Sequence, residues 1–91
     1  MYFVYLLKCV AETYYTGMTK NLTNKIYEHK RGEGVYTKSR LPIEIVYKEK
    51  FEDEKDAVKR EKQIKNWSRN KKKALIDENY NELKKIGKKN F

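Results

Sequence analysis

The chain opens on an unbroken apolar and aromatic run, Tyr2-Phe3-Val4-Tyr5-Leu6-Leu7, closed by Lys8, and a second patch, Tyr14-Tyr15-Thr16-Gly17, follows the polar break Ala11-Glu12-Thr13. Aromatic and branched residues in short runs separated by polar residues predict a β-hairpin. Asn21 offers an N-cap ahead of Leu22 and Ile26, and Lys30-Arg31 before Gly32 supply a cationic last turn and a C-cap, so a helix is expected over about 21–31. The stretch 32–42 holds two glycines, the only proline and Lys38-Ser39-Arg40, which reads as a loop displaying cations and small hydroxyls. Alternation over 43–51 predicts a third strand. Asp53 caps a second helix through about Asn66, and Ser68 caps a third from Asn70 toward Gly87, with Leu75, Ile76, Tyr80 and Leu83 turned inward. The predicted class is mixed α/β in the order β-β-α-β-α-α. The first strand is a candidate sheet edge, and no repeat, low-complexity stretch or linker interrupts the pattern.

Length and composition narrow the chemistry. With 91 residues, one hydrophobic core and one domain over 1–91 are expected, with a core at about 2–76 and a basic helical extension over 77–91. Cys9 is the single cysteine and His29 the single histidine, so neither an internal disulfide nor a zinc site of nitrogen and sulfur ligands can be built. A reduced, cytoplasmic setting is the expectation, and any metal must be a hard ion held by oxygens. Lys8 breaks the first apolar run too early for a signal-peptide core or a membrane span, so no membrane role is expected.

The 22 basic and 13 acidic side chains give a formal charge of +9, which favours a polyanionic partner, nucleic acid first. That charge is unevenly placed. Residues 1–54 carry nine basic and eight acidic groups, whereas 55–91 carry thirteen and five. A lysine-rich helical surface also serves solubility alone, so charge supplies a partner class and no reaction.

Periodicity singles out polar groups beside the core. Leu22, Lys25, Ile26 and His29 share a helical stripe, and the second helix places Glu61 between Ala57 and Ile64. A carboxylate there needs a partner or a metal. On the strands Phe3, Tyr5 and Leu7 point one way, and Tyr15 and Gly17 share a face. Each group has a structural alternative. The phenols can be tethered core residues, Lys25 can snorkel, His29 can serve the helix C-terminus, and Glu61 can pair with the lysines around it. Taken together, two phenols, a cation, an imidazole and a carboxylate facing one sheet suit phosphodiester cleavage.

With Phe3-Val4-Tyr5 and Tyr15-Thr16-Gly17 nine residues apart, the chain resembles the GIY-YIG nuclease superfamily, most closely its small single-domain, UPF0213-like members. Tyr5, Tyr15 and Gly17 stand at consensus positions, and Thr16 replaces an isoleucine. The resemblance runs on through 21–29, 36–42, 57–65, Trp67-Ser68-Arg69 and 73–76, about residues 2–76.

The resemblance implies a three-stranded antiparallel sheet flanked by helices and metal-dependent hydrolysis of DNA. Glu61 matches the glutamate that holds one divalent ion, and Mg²⁺, or Mn²⁺, suits one carboxylate plus waters. Tyr5, assisted by Tyr15 or His29, matches the phenol that activates water, which requires a nearby cation or metal to lower its pKa. The implied nucleic-acid contacts are Gly17, whose backbone turns closely beneath the phosphate, with Lys38, Ser39, Arg40, Lys65, Trp67 and Arg69. Lys25 stands where the family carries an arginine. A point-charge ammonium does not replace a bidentate guanidinium, and loss of such a donor costs about 10²–10³ in rate. A weak nuclease follows, with Arg31 or Arg40 as candidate substitutes for the guanidinium. The alternatives are a module that binds nucleic acid without cutting and a domain that docks on protein. Single-stranded DNA, branched DNA and RNA all suit a Tyr and Trp stacking platform, and oligomeric state stays open.

Overall fold

The computed structural model describes residues 1–34 and 37–78. Strands β1 (Tyr2–Lys8), β2 (Tyr14–Thr19) and β3 (Glu44–Phe51) form one antiparallel sheet in the order β2-β1-β3. The first strand is therefore the centre of the sheet, not its edge. Val4, Tyr5, Leu6 and Leu7 are all fully buried, so successive side chains of β1 enter cores on opposite faces. A strand with two buried faces reads as a continuous apolar run. The edges fall instead to β2 and β3.

The hairpin closes through a 3₁₀ turn at Val10–Glu12, in which Ala11 and Glu12 take positive φ. The Cys9 N–H donates to the Thr13 carbonyl at 2.7 Å and the Thr13 hydroxyl to the Val10 carbonyl at 3.0 Å. Tyr5 then lies opposite Gly17, and Leu7 opposite Tyr15.

Three side-chain caps start the helices as the sequence predicts. Asn21 accepts from the Asn24 amide at 3.0 Å and opens α1 (Leu22–Lys30). Asp53 accepts from the Lys55 amide at 2.9 Å and opens α2 (Glu54–Lys65). Ser68 accepts from the Lys71 amide at 3.2 Å and opens α3, described over 69–78. Leu75 and Ile76 turn inward as expected; Tyr80 and Leu83, and most of the proposed extension over 77–91, lie outside the described residues.

The sheet separates two cores. On one face α1 brings Leu22 and Ile26 against Tyr5, Leu7, Cys9 and Tyr15. On the other, Ala57 and Ile64 of α2, with Trp67, Leu75 and Ile76, cover Val4, Leu6 and Tyr47. A polar clamp fastens α2 to β3. The Arg60 guanidinium donates from Nε and Nη2 to the Glu49 carboxylate, which also accepts from the Tyr47 hydroxyl. Arg60 also lies 5.3 Å from the Trp67 ring centroid. Burial and the Glu49 carboxylate together push the Tyr47 phenol up to about 12. Among the described residues, no helix is long and apolar enough to cross a membrane.

Candidate active site

Gly17 determines where the Tyr5 hydroxyl goes. A Cβ at Gly17 would lie 2.5 Å from both Cζ and the hydroxyl oxygen of Tyr5 and 2.9 Å from the Tyr15 ring. The bare backbone of the outer strand is thus the floor on which the Tyr5 ring rests. This differs from the expected close turn beneath a phosphate: Gly17 sits inside the extended strand β2, and its φ is not positive.

From that position the Tyr5 hydroxyl lies 3.2 Å from His29 Nε2, and His29 Nδ1 lies 2.7 Å from the Thr37 hydroxyl. The two phenol rings and the imidazole pack together, with centroids 6.2 Å apart for Tyr5 and Tyr15 and 5.1 Å apart for Tyr15 and His29. Helical spacing accounts for His29, which falls one turn after Lys25 and on the inner face beside Ile26. Thr37 and Gly34 were not singled out from the sequence. Gly34 leaves room for the imidazole, since a Cβ there would meet His29 and stand 2.5 Å from Thr37 Oγ1. Thr37 carried the signal of its place in the 36–42 stretch of the resemblance and Gly34 only that of a glycine-bearing loop; what selects them is the fold of that loop onto the end of α1.

Burial, then the charges of Tyr15, Glu61 and Glu28, raise the Tyr5 pKa far above the ordinary phenol value, so the resting hydroxyl is protonated. Burial and the neighbouring Lys25 ammonium lower His29, against a smaller opposing effect of Glu28. A neutral imidazole therefore faces a neutral phenol. In the tautomer with hydrogen on Nδ1, Nε2 accepts from Tyr5 while Nδ1 donates to Thr37, which satisfies both ring nitrogens.

Lys25 is half-exposed and pairs with Glu28 at 3.4 Å, the snorkelling arrangement available to it, with its charge still felt at His29. Glu61 does not share the face of the other groups. It belongs to α2, whose flanking Ala57 and Ile64 are buried in the opposite core, yet its charge reaches the Tyr5 hydroxyl. The edge strand β2 is among the strands that α2 packs against. Helical periodicity places Glu61 beside the buried stripe but cannot say which face of the sheet that stripe covers.

Glu61 is half-buried and pairs with exposed Lys65 at 3.7 Å. Among the described residues, no three His, Cys, Asp or Glu converge on one point, so no protein cage for a metal forms there. A lone inward carboxylate with a displaceable lysine partner suits a hard divalent ion completed by waters.

The other expected contacts divide. Lys38 and Ser39 are exposed on the turn that follows Thr37, where the Lys38 amide donates to the Gly34 carbonyl at 2.8 Å. Arg31 is committed to Glu33 and stacks 4.8 Å from the Tyr27 centroid, outside the Tyr5–His29 cluster. The Arg40 charge acts on Cys9, past the end of β1. Trp67 packs on the opposite core between Arg60 and Lys71, whose ammonium lies 4.5 Å from its centroid, so its ring is already engaged.

The model of the GIY-YIG catalytic domain matches residues 1–74. The chain belongs to the GIY-YIG family. It is 45% identical over 76 residues to a UPF0213 protein of Natronomonas pharaonis, covering 82% of this chain and 89% of that one. It is 44% identical over 78 residues to a UPF0213 protein of Staphylococcus aureus, covering 85% and 95%. A solution NMR structure of a UPF0213 protein from Bacillus halodurans superposes with a TM-score of 0.56 at 34% identity, covering 85% of this chain and 84% of that one. The three-stranded antiparallel sheet with its β-β-α-β-α-α order agrees with that structure. GIY-YIG domains are generally endonucleases that act on nucleic acid with a divalent metal. The UPF0213 name specifies no reaction.

Proposed function

We propose that the chain is a metal-dependent endonuclease that hydrolyses DNA phosphodiester bonds, with Tyr5, His29, Lys25, Tyr15 and Glu61 as its working groups. The observation that carries this reading is the buried Tyr5–His29–Thr37 chain, whose phenol end lies within the field of Glu61. A structural tyrosine needs one hydrogen-bond partner; this one meets a neutral imidazole that can take its proton.

Glu61, partnered among the described residues only by exposed Lys65, would hold one Mg²⁺ or Mn²⁺, which would supply charge neutralisation on the phosphate and leaving oxygen. Tyr5 accepts a proton from the attacking water as its own passes to His29 Nε2, and Thr37 keeps the imidazole aligned by accepting from Nδ1. Lys25 supports the negative charge developing on the phosphate, and Tyr15 fixes the ring cluster. Lys38, Ser39 and Arg40 flank the strand on the loop side. The expected substrates are single-stranded or branched DNA, with RNA the comparison, and the working compartment is the reducing cytoplasm, where a buried thiol such as Cys9 persists.

A second reading is a binding module, favoured by Lys25 standing where a guanidinium would grip two phosphate oxygens and by its present pairing with Glu28. Cleavage of a panel of nicked, branched, single-stranded and RNA substrates with Mg²⁺ or Mn²⁺ separates the two. The nuclease reading expects nicking that vanishes in Glu61→Ala and rises in Lys25→Arg. Salt-sensitive binding without product under either metal would favour the binding module. Cleavage indifferent to both Glu61→Ala and chelator would remove the metal-dependent mechanism.

A further inference from the structure

Several cations around the turn from α2 to α3 are compensated within the protein. Lys65 pairs with Glu61, Lys73 with Asp77 at 3.5 Å, Arg60 with Glu49, and Lys71 lies over Trp67. Arg69 and Lys72, like Lys62, have no ion-pair partner among the described residues, and these two are set apart by facing one cavity together. Both line a cavity of about 190 Å³ whose other walls are Thr13 and Tyr14, at the start of β2. Among the described residues no carboxylate lines it. Glu12 lines the adjoining cavity, which Tyr14 and Arg69 also border, and is itself paired with Lys8 at 4.0 Å.

Lys72 is also partly buried, and burial together with the charge of nearby Lys65 lowers its pKa. Holding an ammonium out of water beside a second one is unfavourable unless an anion offsets both. The same Lys65 pairs with Glu61, so one lysine lies near both the candidate metal carboxylate and Lys72.

We propose that this cavity is a phosphate subsite, in which Arg69 and Lys72 hold a backbone phosphate of a nucleic-acid strand whose neighbouring segment lies at Tyr5 and Glu61. Thr13 and Tyr14 wall the site, and the Tyr14 phenol supplies a hydroxyl donor, since the Thr13 hydroxyl is already spent on the Val10 carbonyl. Arg69 is the geometric selector, since its planar fork engages two phosphate oxygens at once, while Lys72 contributes a point charge. The site rests on the nucleic-acid part of the proposed function and is independent of whether the strand is cut.

The test is binding of a fluorescein-labelled single-stranded DNA oligonucleotide, followed by anisotropy across a salt series in EDTA, on a Glu61→Ala background. Arg69→Ala and Lys72→Ala are compared with Lys50→Ala and Lys55→Ala, which remove equal charge from exposed positions away from the cavity. The combined Arg69→Ala, Lys72→Ala variant is expected to weaken binding by about tenfold or more. It should also flatten the slope of log K against log salt by about one unit per lost phosphate contact. Each control is expected to weaken binding by only about twofold. Lys72→Arg, which keeps charge and fold, should bind within about twofold of its parent. Equal losses for cavity and control variants would overturn the subsite, as would a Lys72→Arg variant as weak as Lys72→Ala. Metal-dependent nicking by the wild type is scored separately. Nicking with no cavity effect sinks the subsite alone, and a cavity effect without nicking sinks the nuclease reading alone.

Discussion

At Gly17 a single hydrogen stands where any other residue would place carbon, and the Tyr5 hydroxyl occupies the space. The Tyr5 ring is fully buried and tied to His29, so it cannot swing away as an exposed side chain would. Gly17→Ala is therefore expected to cost about 1–3 kcal/mol in urea unfolding, the usual cost of overpacking. It should also reduce nicking by about 10² or more, because the phenol would be moved on the order of 1 Å from its partner. A variant with full activity would show that Tyr5 is not held by this contact. His29 supplies a second residue-scale test. Its folded pKa lies below the ordinary 6.5, so as pH falls below about 6.5 the unfolded chain takes up a proton that the folded protein resists. Stability should decline through that window and level off once the lowered folded value is passed. Unfolding free energy measured against pH should show this slope in the wild type and lose it in His29→Gln. Parallel curves would mean that the imidazole titrates alike in both states.

Local patterns made the elements legible, and the relations between them less so. Caps at Asn21, Asp53 and Ser68 were readable because each is a bond within one short segment. Read from its sequence, β1 is a candidate edge although its unbroken run points inward: a half-buried edge strand would alternate, and two buried faces are why β1 does not. By contrast, the layer in which Glu61 lies depends on how α2 crosses the sheet, and the role of Thr37 depends on a loop folding back on α1. Neither leaves a periodic trace. Thr16 lies at such a junction. Its hydroxyl is buried where β2 meets α2 and has no hydrogen-bond partner among the described residues, at the position where the family consensus has isoleucine. Thr16→Val exchanges that oxygen for a methyl of similar size and is expected to stabilise the fold by about 1 kcal/mol, the lower end of what an unsatisfied buried polar group costs. Denaturant unfolding checks it. A loss of stability would mean that the hydroxyl has a partner in solution, such as a buried water.

Across the whole molecule, charge and chemistry are separated. The half that carries Tyr5, Tyr15, Lys25 and His29 has nine basic and eight acidic side chains, while the remainder from residue 55 has thirteen and five. In the proposed function this sequence asymmetry divides the work: the basic segment after residue 54 collects the polyanion and the buried groups act on it. Exposed cations on α2 and α3 act through a solvent-screened field that shrinks as the Debye length falls from about 10 Å at 0.1 M salt to about 3 Å at 1 M. The Tyr5–His29–Thr37 chain is buried and carries no formal charge, so salt reaches it far less. Initial-rate kinetics of metal-dependent nicking are therefore expected to show KM rising steeply with ionic strength while kcat stays within about twofold. Lys65 refines this expectation because it belongs to both regions, through its ion pair with Glu61. Lys65→Gln should flatten the salt dependence of KM by about one phosphate contact and also free Glu61 for the divalent ion, lowering the metal concentration at half-maximal rate. If kcat fell with salt in parallel with kcat/KM, the basic segment would be acting in the chemical step itself, and the separation of delivery from cleavage would fail.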